Sequence, residues 1–456
     1  LIVKEFTNAF PPGPVRFPFS VVDEAVHLLE TEAAPWSIQM ELTVQGHLDE
    51  ARLRAAFAQA LAAHPMARAR KVATRPALHT DEWEIAPRAD HDPLRVVDCD
   101  DDDALAAARA ELQSLAVPLA EAPPLRARLA RHPGGDVVML NANHAAMDAF
   151  GALRLLQSVA RSYAGEPDPI AVPSPLEARE YPDRLAAGGL VTRVRRRLAL
   201  AEKLRDVVTP PARVAPDGAT GAAGYGFHHV ALSAAETEAL VSLDHAGTVN
   251  DVLVSALHLA IAGWNAEHGE PCGRIGVLVP ANLRPDQWRH DVVGNFSLPA
   301  RVSTTPRDRR SARSALRALT TQTGRKKKSG MGTALVVGLG AARKLPLWSK
   351  QVIVALMPVT GNRLVDTAML SNMGRLPETP SFGPEAGGTV DLWFSPPGRM
   401  PLGLTVGAVT VGGRLHLSFR YRHRLFGADA ARAFAERYMD ELNRFTDSPG
   451  AVPVAS

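Results

Sequence analysis

The chain has 456 residues, 46% of them hydrophobic, so it can bury more than one core and two domains or lobes are expected. A net charge of +3 and 5% aromatic residues, with no interleaving of aromatic and basic side chains, give no support for nucleic-acid binding. Cys99 and Cys272 lie far apart without metal-ligand spacing, and no apolar run is long enough to span a bilayer. No disulfide framework, metal site or membrane partner is therefore expected.

The chain opens on Leu1-Ile-Val-Lys-Glu-Phe6, which lacks a basic segment followed by an apolar one. No signal peptide is expected, and a reducing cytoplasm is the expected compartment. Alternation over Ile38–Val44 predicts a half-buried strand. Asp49 follows as an N-cap, with Leu48 and Leu53 spaced as a hydrophobic staple. Leu53, Phe57 and Leu61 give the next helix a core-facing side, and His64-Pro65 stops it. The run Asp100–Asp103 resembles a carboxylate cluster, but consecutive side chains fan out around the chain. It reads instead as a solvated cap on the Ala-rich helix from Ala104.

The most informative stretch is Asp136-Val-Val-Met-Leu-Asn-Ala-Asn-His144-Ala-Ala-Met-Asp148-Ala-Phe-Gly151. Val137–Leu140 reads as a buried strand, and Leu153, Leu156, Val159 and Ala160 as the stripe of a helix. His144 and Asp148 sit where the strand ends and the helix starts, the usual place for chemistry in an α/β protein. The spacing alone is weak, since about one His-x-x-x-Asp pair is expected by chance in such a chain. His132-Pro-Gly-Gly-Asp136 has the same spacing and is only a turn.

Beyond Gly165, Pro167, Pro169, Pro173, Pro175 and Pro182 mark a connecting segment. A basic helix with Arg193, Arg195, Arg196 and Arg197 follows, closed by Pro210-Pro211. The expected organisation is an N-terminal lobe over 1–175, a linker with its basic helix over 176–224, and a C-terminal lobe over 225–456. The second lobe opens with a strand through Leu232, where His228 and His229 must point to opposite faces. Ser233 and Glu236 then have capping-box spacing. Thr248 starts a helix with the stripe Leu253, Leu257, Ile261 and Trp264. Ile275–Pro280 is a buried strand, Gly324–Gly330 a basic loop, and Met369–Gly374 the end of a further strand. Leu415–Tyr421 alternates cleanly and leads into a closing helix with Phe426, Ala430, Phe434, Tyr438 and Leu442.

In order along the chain, "QGHLDEARLRAAFAQALAAHPMARAR", "NHAAMDAFG", "TVNDVLVSALHLAIAGWN", "VPANLRPD", "VGNFSLPARV" and "LSNMGRL" resemble signatures of one superfamily. It comprises the CoA-dependent acyltransferases and the condensation domains of non-ribosomal peptide synthesis, with the chloramphenicol-acetyltransferase-like fold. The resemblance implies an α/β (mixed-sheet α+β) architecture of two similar lobes in a V-shaped pseudo-dimer, with the motif histidine in a central tunnel. The motif departs from the family's His-His-x-x-x-Asp-Gly in two places. Asn143 stands for the first histidine, and Ala149 for the glycine, with Gly151 two residues on.

The implied function is a free-standing acyltransferase that moves an acyl group from a CoA or carrier-protein thioester to a small amine or alcohol, in natural-product biosynthesis. No permanently bound cofactor is expected; acyl-CoA or a phosphopantetheinyl thioester is the co-substrate, and a carrier protein is a possible partner. An ordinary histidine is mostly neutral near pH 7 and can take a proton, so His144 is expected as general base. The resemblance implies that Asp148 pairs with Arg284 to hold the motif loop. Asn143, Ala149, Gly151, Asn295, Ser371 and Asn372 are expected at the tunnel or the oxyanion position. The alternative is a non-catalytic condensation-like domain that binds a carrier protein or partner enzyme.

Overall fold

A computed structural model describes residues 15–31, 34–73, 79–170, 175–186, 209–243, 247–270, 272–328, 340, 343–355 and 365–446. The predicted basic helix around Arg193–Arg197 lies outside these residues. The strands are β1 (Val15–Pro18), β2 (Ser37–Val44), β3 (Ala69–Lys71), β4 (Glu82–Ile85), β5 (Leu94–Asp98), β6 (Leu125–Arg131), β7 (Val137–Asn143), β8 (Tyr225–Ala231), β9 (Ile275–Asn282), β10 (Ser297–Thr304), β11 (Ala368–Arg375), β12 (Thr389–Ser395), β13 (Leu404–Val411) and β14 (Arg414–Arg422). The longer helices are α1 (Val21–Leu29), α2 (Glu50–Ala63), α3 (Asp102–Ser114), α4 (Ala149–Ala164), α5 (Ala234–Val241), α6 (Val249–Glu267), α7 (Ala312–Lys328), α8 (Leu347–Ala355) and α9 (Ala428–Thr446).

Two mixed sheets organise the molecule. One runs β12-β2-β7-β6-β5, the other β10-β9-β11-β13-β14-β8, and a small sheet β1-β4-β3 lies beside them. β5–β6, β9–β11 and β11–β13 are parallel pairs, and the rest are antiparallel. The architecture is therefore the mixed α/β one that the resemblance implied.

Local chemistry explains where the helices begin. Asp49 caps α2 by accepting from the Arg52 N–H, and Leu48 and Leu53 are both in the core. Asp101 caps α3 through the Ala104 N–H at 2.8 Å, so the aspartate run is a helix start, two residues earlier than the alanines suggest. Ser233 and Thr248 each complete a capping box, with Glu236 and Asp251. His64 ends α2 as its C-cap and turns its ring inward onto the Ser158 hydroxyl of α4 at 2.7 Å.

Three expectations are corrected. Ile38–Val44 is not half-buried: β2 is covered on both faces. Ile38, Met40, Leu42 and Val44 enter the core shared with α2 and α4. Gln39 and Glu41 on the other face meet Ser395 at 2.7 Å and a two-pronged Arg109 contact from α3 at 2.6 Å. The basic loop is also not a loop up to Lys328, because Arg325–Lys328 form the last turn of α7, where cations suit the C-terminal end of the helix dipole. Ser329 and Gly330 lie outside the described residues. Finally, Phe426 precedes the closing helix rather than opening it.

One strand ties the two halves together. β12, from the C-terminal part of the chain, pairs along β2, with Leu392 opposite Leu42 and Phe394 opposite Met40. It crosses β13 so closely that a side chain at Gly407 would come within 1.8 Å of the Phe394 carbonyl. Trp393 on β12 stacks on His229 of β8 at 4.4 Å. The two halves thus share a sheet and a core rather than touching at their surfaces.

Candidate active site

β7 delivers the motif. All seven of its residues are buried between β2 and β6, which fixes the point where the strand stops. His144 continues the pairing for one more residue, donating its N–H to the Trp36 carbonyl at 3.0 Å. The chain then turns, with the N–H groups of Ala146 and Met147 both bonded to the Asn143 carbonyl at 3.1 and 3.2 Å. Asp148 caps α4 through the Gly151 N–H at 2.9 Å.

Asn143 is wholly buried, and its side chain is fully used. Its Nδ2 donates to both carboxylate oxygens of Glu30 at 3.0 and 2.9 Å and to the Val117 carbonyl at 2.9 Å. Its Oδ1 accepts from the Ala145 N–H at 3.0 Å. Asn143 therefore holds the turn that carries His144, and its expected place at the tunnel or oxyanion position is corrected on that ground. Burial pushes the Glu30 carboxyl up, and the hydrogen bond from Asn143 partly offsets this. Glu30 was not legible in the sequence, since 113 residues separate the pair.

Asp148 and Arg284 meet as the resemblance implied. Arg284 donates to Asp148 from two nitrogens, at 2.6 and 2.9 Å, and both side chains are almost completely buried. Arg284 also donates to the carbonyls of Val292 and Gly294 at 3.1 and 2.9 Å, and lies 4.4 Å from the centre of the Phe296 ring. Asp148 accepts in addition from the Phe296 N–H at 2.9 Å, and the Asp148 N–H bonds the Gly294 carbonyl at 3.1 Å. Burial opposes the charge on Asp148, but Arg284 and the N–H groups of Gly151 and Phe296 outweigh it and hold the carboxyl below its ordinary value. Asp148 is thus committed to Arg284 and the backbone, and is not an orienter of the His144 ring.

Gly151 serves the same joint. A side chain there would meet the Gly294 carbonyl oxygen at 2.8 Å and its nitrogen at 3.0 Å, so the glycine lets α4 approach the 292–296 segment. Its expected tunnel position is therefore corrected to close packing, and Ala149 beside it belongs to the core. Gly151→Ala is expected to destabilise the fold by about 1–3 kcal/mol, measured by urea unfolding, because backbone rather than a flexible side chain must move.

His144 has a different character from its neighbours. Its Nδ1 is buried, and among the described residues it faces only the carbonyls of His144 and Met147, neither in good hydrogen-bond geometry. Burial pushes the imidazole below its ordinary value of 6.5; Asp148, the carbonyls of His144 and Met147, and Asp23 pull the other way without cancelling it. Asp23 is a second residue that the sequence did not reveal. It lies in α1, buried, and accepts from Trp83 Nε1 at 3.0 Å and from Arg179.

The remaining candidates divide. Asn295 adjoins Gly294 and Phe296, so it shares the loop that clamps Asp148. Its Oδ1 accepts from the Ser297 N–H at 3.2 Å, while its Nδ2 is buried without a partner among the described residues. Ser371 and Asn372 lie on β11, where Asn372 Oδ1 accepts from the Gly374 N–H at 2.8 Å and shapes the strand end. Among the described residues, no hydrogen bond or ion pair joins either of them to the His144 turn. Cavities of about 290 and 410 Å³ lie near Thr379 and Gly412, away from the motif. Among the described residues, no group of three or more His, Cys, Asp or Glu side chains is placed to hold a metal.

No profile of a known protein family matches the chain. It is 34% identical over 412 residues to the uncharacterized protein Rv2305 of Mycobacterium tuberculosis, covering 89% of this chain and 94% of that one, and matches the same way in a second strain. Among solved structures it is similar to the first condensation domain of the CDA synthetase, with a TM-score of 0.68 at 16% identity over 96% of this chain and 97% of that one. It is also similar to the epimerization domain from the third module of tyrocidine synthetase B, at 0.67 and 17% over 95% and 97%. SgcC5 from Streptomyces globisporus follows at 0.63 and 20% over 94% and 98%. Likenesses at these identities establish the fold. The chain has the condensation-domain fold and belongs to one family with the uncharacterized mycobacterial protein Rv2305.

Proposed function

We propose that this protein is a condensation-type acyltransferase, moving an acyl group from a CoA or carrier-protein thioester to a small amine or alcohol in natural-product biosynthesis. The observation that carries the reading is His144 itself: a histidine at a strand end, biased towards its neutral form, on a turn that Asn143 and Asp148 hold by their side chains. A side chain kept only for structure would be expected to use its buried nitrogen in a hydrogen bond.

In the proposed reaction, His144 takes a proton from the acceptor N–H or O–H as that atom attacks the thioester carbonyl. Nε2 is the working nitrogen, since Nδ1 is buried. Collapse of the tetrahedral intermediate breaks the C–S bond, and the imidazolium returns the proton to the departing thiolate. The products are an amide or ester and a free thiol, with no covalent enzyme intermediate. Asn295, with its unpartnered Nδ2, is the proposed donor to the developing oxyanion. Asp148 and Arg284 keep the loop in register and take no part in proton transfer.

The test offers panels of acyl-CoAs and acyl-carrier proteins with mixed amines and alcohols, and follows thiol release and product mass. Acceptor-dependent release from one donor class, with an acylated acceptor of the corresponding mass, is the expected result and names the donor. Absence of release from every donor, with carrier binding intact, would instead identify a recognition domain.

A further inference from the structure

α1 turns one side towards the motif. Asp23, His27 and Glu30 follow one another at spacings of four and three, so they line a single stripe of the helix and its C-cap. At the end of that stripe the Glu30 carboxylate meets both flanks of His144. On one flank it accepts from Asn143 Nδ2 through both oxygens, at 3.0 and 2.9 Å. On the other, the Trp36 N–H favours its charged form, and the Trp36 carbonyl takes the His144 N–H at 3.0 Å. The backbone of His144 is thus held between two residues that share one carboxylate.

Among the described residues no arginine or lysine pairs with this carboxylate. The basic group that faces it is His27, whose Nδ1 lies 4.0 Å away. Burial and Lys71 push the His27 imidazole down to about 4, against the pull of Asp81, so it is neutral at ordinary pH. Arg399 reaches the same helix end but donates to the Leu29 carbonyl at 2.8 Å. A glutamine would fill the place of Glu30 without the cost of a mostly buried charge. It could not offer two acceptors and no donor to Asn143, whose Nδ2 has only two hydrogens for Glu30 and the Val117 carbonyl at 2.9 Å. With Nδ2 held in this way, Asn143 Oδ1 is aimed at the Ala145 N–H at 3.0 Å, inside the turn itself.

We infer that Glu30 is a positioning residue for His144, fixing the imidazole through Asn143 and Trp36 only while its carboxylate is ionised. This role rests on the reading of His144 as the general base, and it adds a second proton to the control of the site. A proton on Glu30 sets an O–H donor against the N–H donors of Asn143 and Trp36. Asn143 is then free to turn, the Ala145 N–H loses its acceptor, and the imidazole is no longer held at one angle. Burial pushes the Glu30 carboxyl above its ordinary 4.5, with Asn143 and Trp36 pulling back without cancelling it. Glu30 therefore takes up its proton above pH 4.5, within the acid range where a general base with an ordinary value of 6.5 also begins to fail. Two protons, not one, switch the site off.

The test follows the Cε1–H resonance of His144 in the full chain labelled at histidine, assigned by its absence from His144→Ala. In the wild type this resonance is expected to show an inflection above pH 4.5 that is missing from Glu30→Gln, with far-UV circular dichroism confirming that the variant is folded. On a donor and acceptor that give thiol release, Glu30→Gln should lower kcat about 10–100-fold and change KM less than about twofold. Its acid limb should fall with one proton where the wild type falls with two. A His144 resonance that is the same in both proteins at every pH would overturn the inference, even if the variant melts earlier, because the contact would then be structural only. So would an unchanged kcat. Should Glu30→Gln not fold, Glu30→Asp takes its place: the charge is kept on a shorter side chain, and an inflection that does not move overturns the inference. Absence of thiol release from every donor would count against the acyl-transfer reading, and the resonance would still decide the role of Glu30.

Discussion

Asp148→Ala is expected to lower the unfolding free energy by about 3–5 kcal/mol, the cost of leaving a buried guanidinium without its counter-charge. The geometry explains why this should be among the most damaging single changes in the chain. Asp148 accepts two bonds from Arg284 and one each from the N–H groups of Gly151 and Phe296. Alanine removes all four, including the cap of α4, and no water-exposed route exists for a guanidinium that is wholly buried. Arg284→Met placed on top of Asp148→Ala should recover part of the loss, since the orphan charge goes but the two backbone donors stay unpaired. Urea unfolding of the two single variants and the double variant measures the coupling. Additive losses would show that the pair does not hold the joint. The pair's contribution is also pH-dependent. The carboxyl is held below its ordinary value, so its stabilisation is complete above the unfolded carboxyl pKa of about 3.9 and is lost as pH falls through the lower folded value.

His144→Ala is expected to behave in the opposite way, with catalysis reduced by about 10²–10⁴ and stability little changed. Its ring makes no well-formed hydrogen bond among the described residues, and the turn is held by Asn143, Trp36 and Asp148 through the backbone. The wild-type rate should also carry the histidine's signature in its pH profile. A general base must be neutral, and burial disfavours the imidazolium. The acid limb of kcat/KM is therefore expected to fall below pH 6.5, with a plateau above it. A limb displaced above 6.5 would point to a base stabilised in its charged form, which the surroundings of His144 do not provide.

How far the sequence reveals this arrangement depends on the range of each interaction. The strand ending at Asn143 and the helix starting after Asp148 were legible because burial and capping are written in neighbouring residues. Asp49, Ser233 and Thr248 were legible as helix starts for the same reason, and the aspartate run as a cap, although α3 begins at Asp102 rather than Ala104. The Asp148–Arg284 pair spans 136 positions and came only from the resemblance. Asn143, Ala149 and Gly151 were expected beside the substrate because the motif varies there. The structure gives Asn143 to Glu30 and Gly151 to the Gly294 backbone, neither of which local spacing can announce. The crossing of β12 onto β2 was hidden likewise, because the 389–395 segment and its partner strand lie about 350 positions apart. Arg325–Lys328 misled in a simpler way. Four cations beside glycines read as a loop, yet arginine and lysine are good helix formers and the end of α7 welcomes them.

The account's central claim is that His144 performs the proton transfer of an acyl exchange. The most direct test is the rate of acceptor-dependent thiol release by wild type and His144→Ala on the same donor and acceptor, with far-UV circular dichroism confirming that both are folded. The predicted result is release with acylated acceptor by the wild type and a loss of about 10²–10⁴ in the variant. Equal rates in the two proteins would contradict the claim and move the chemistry away from His144.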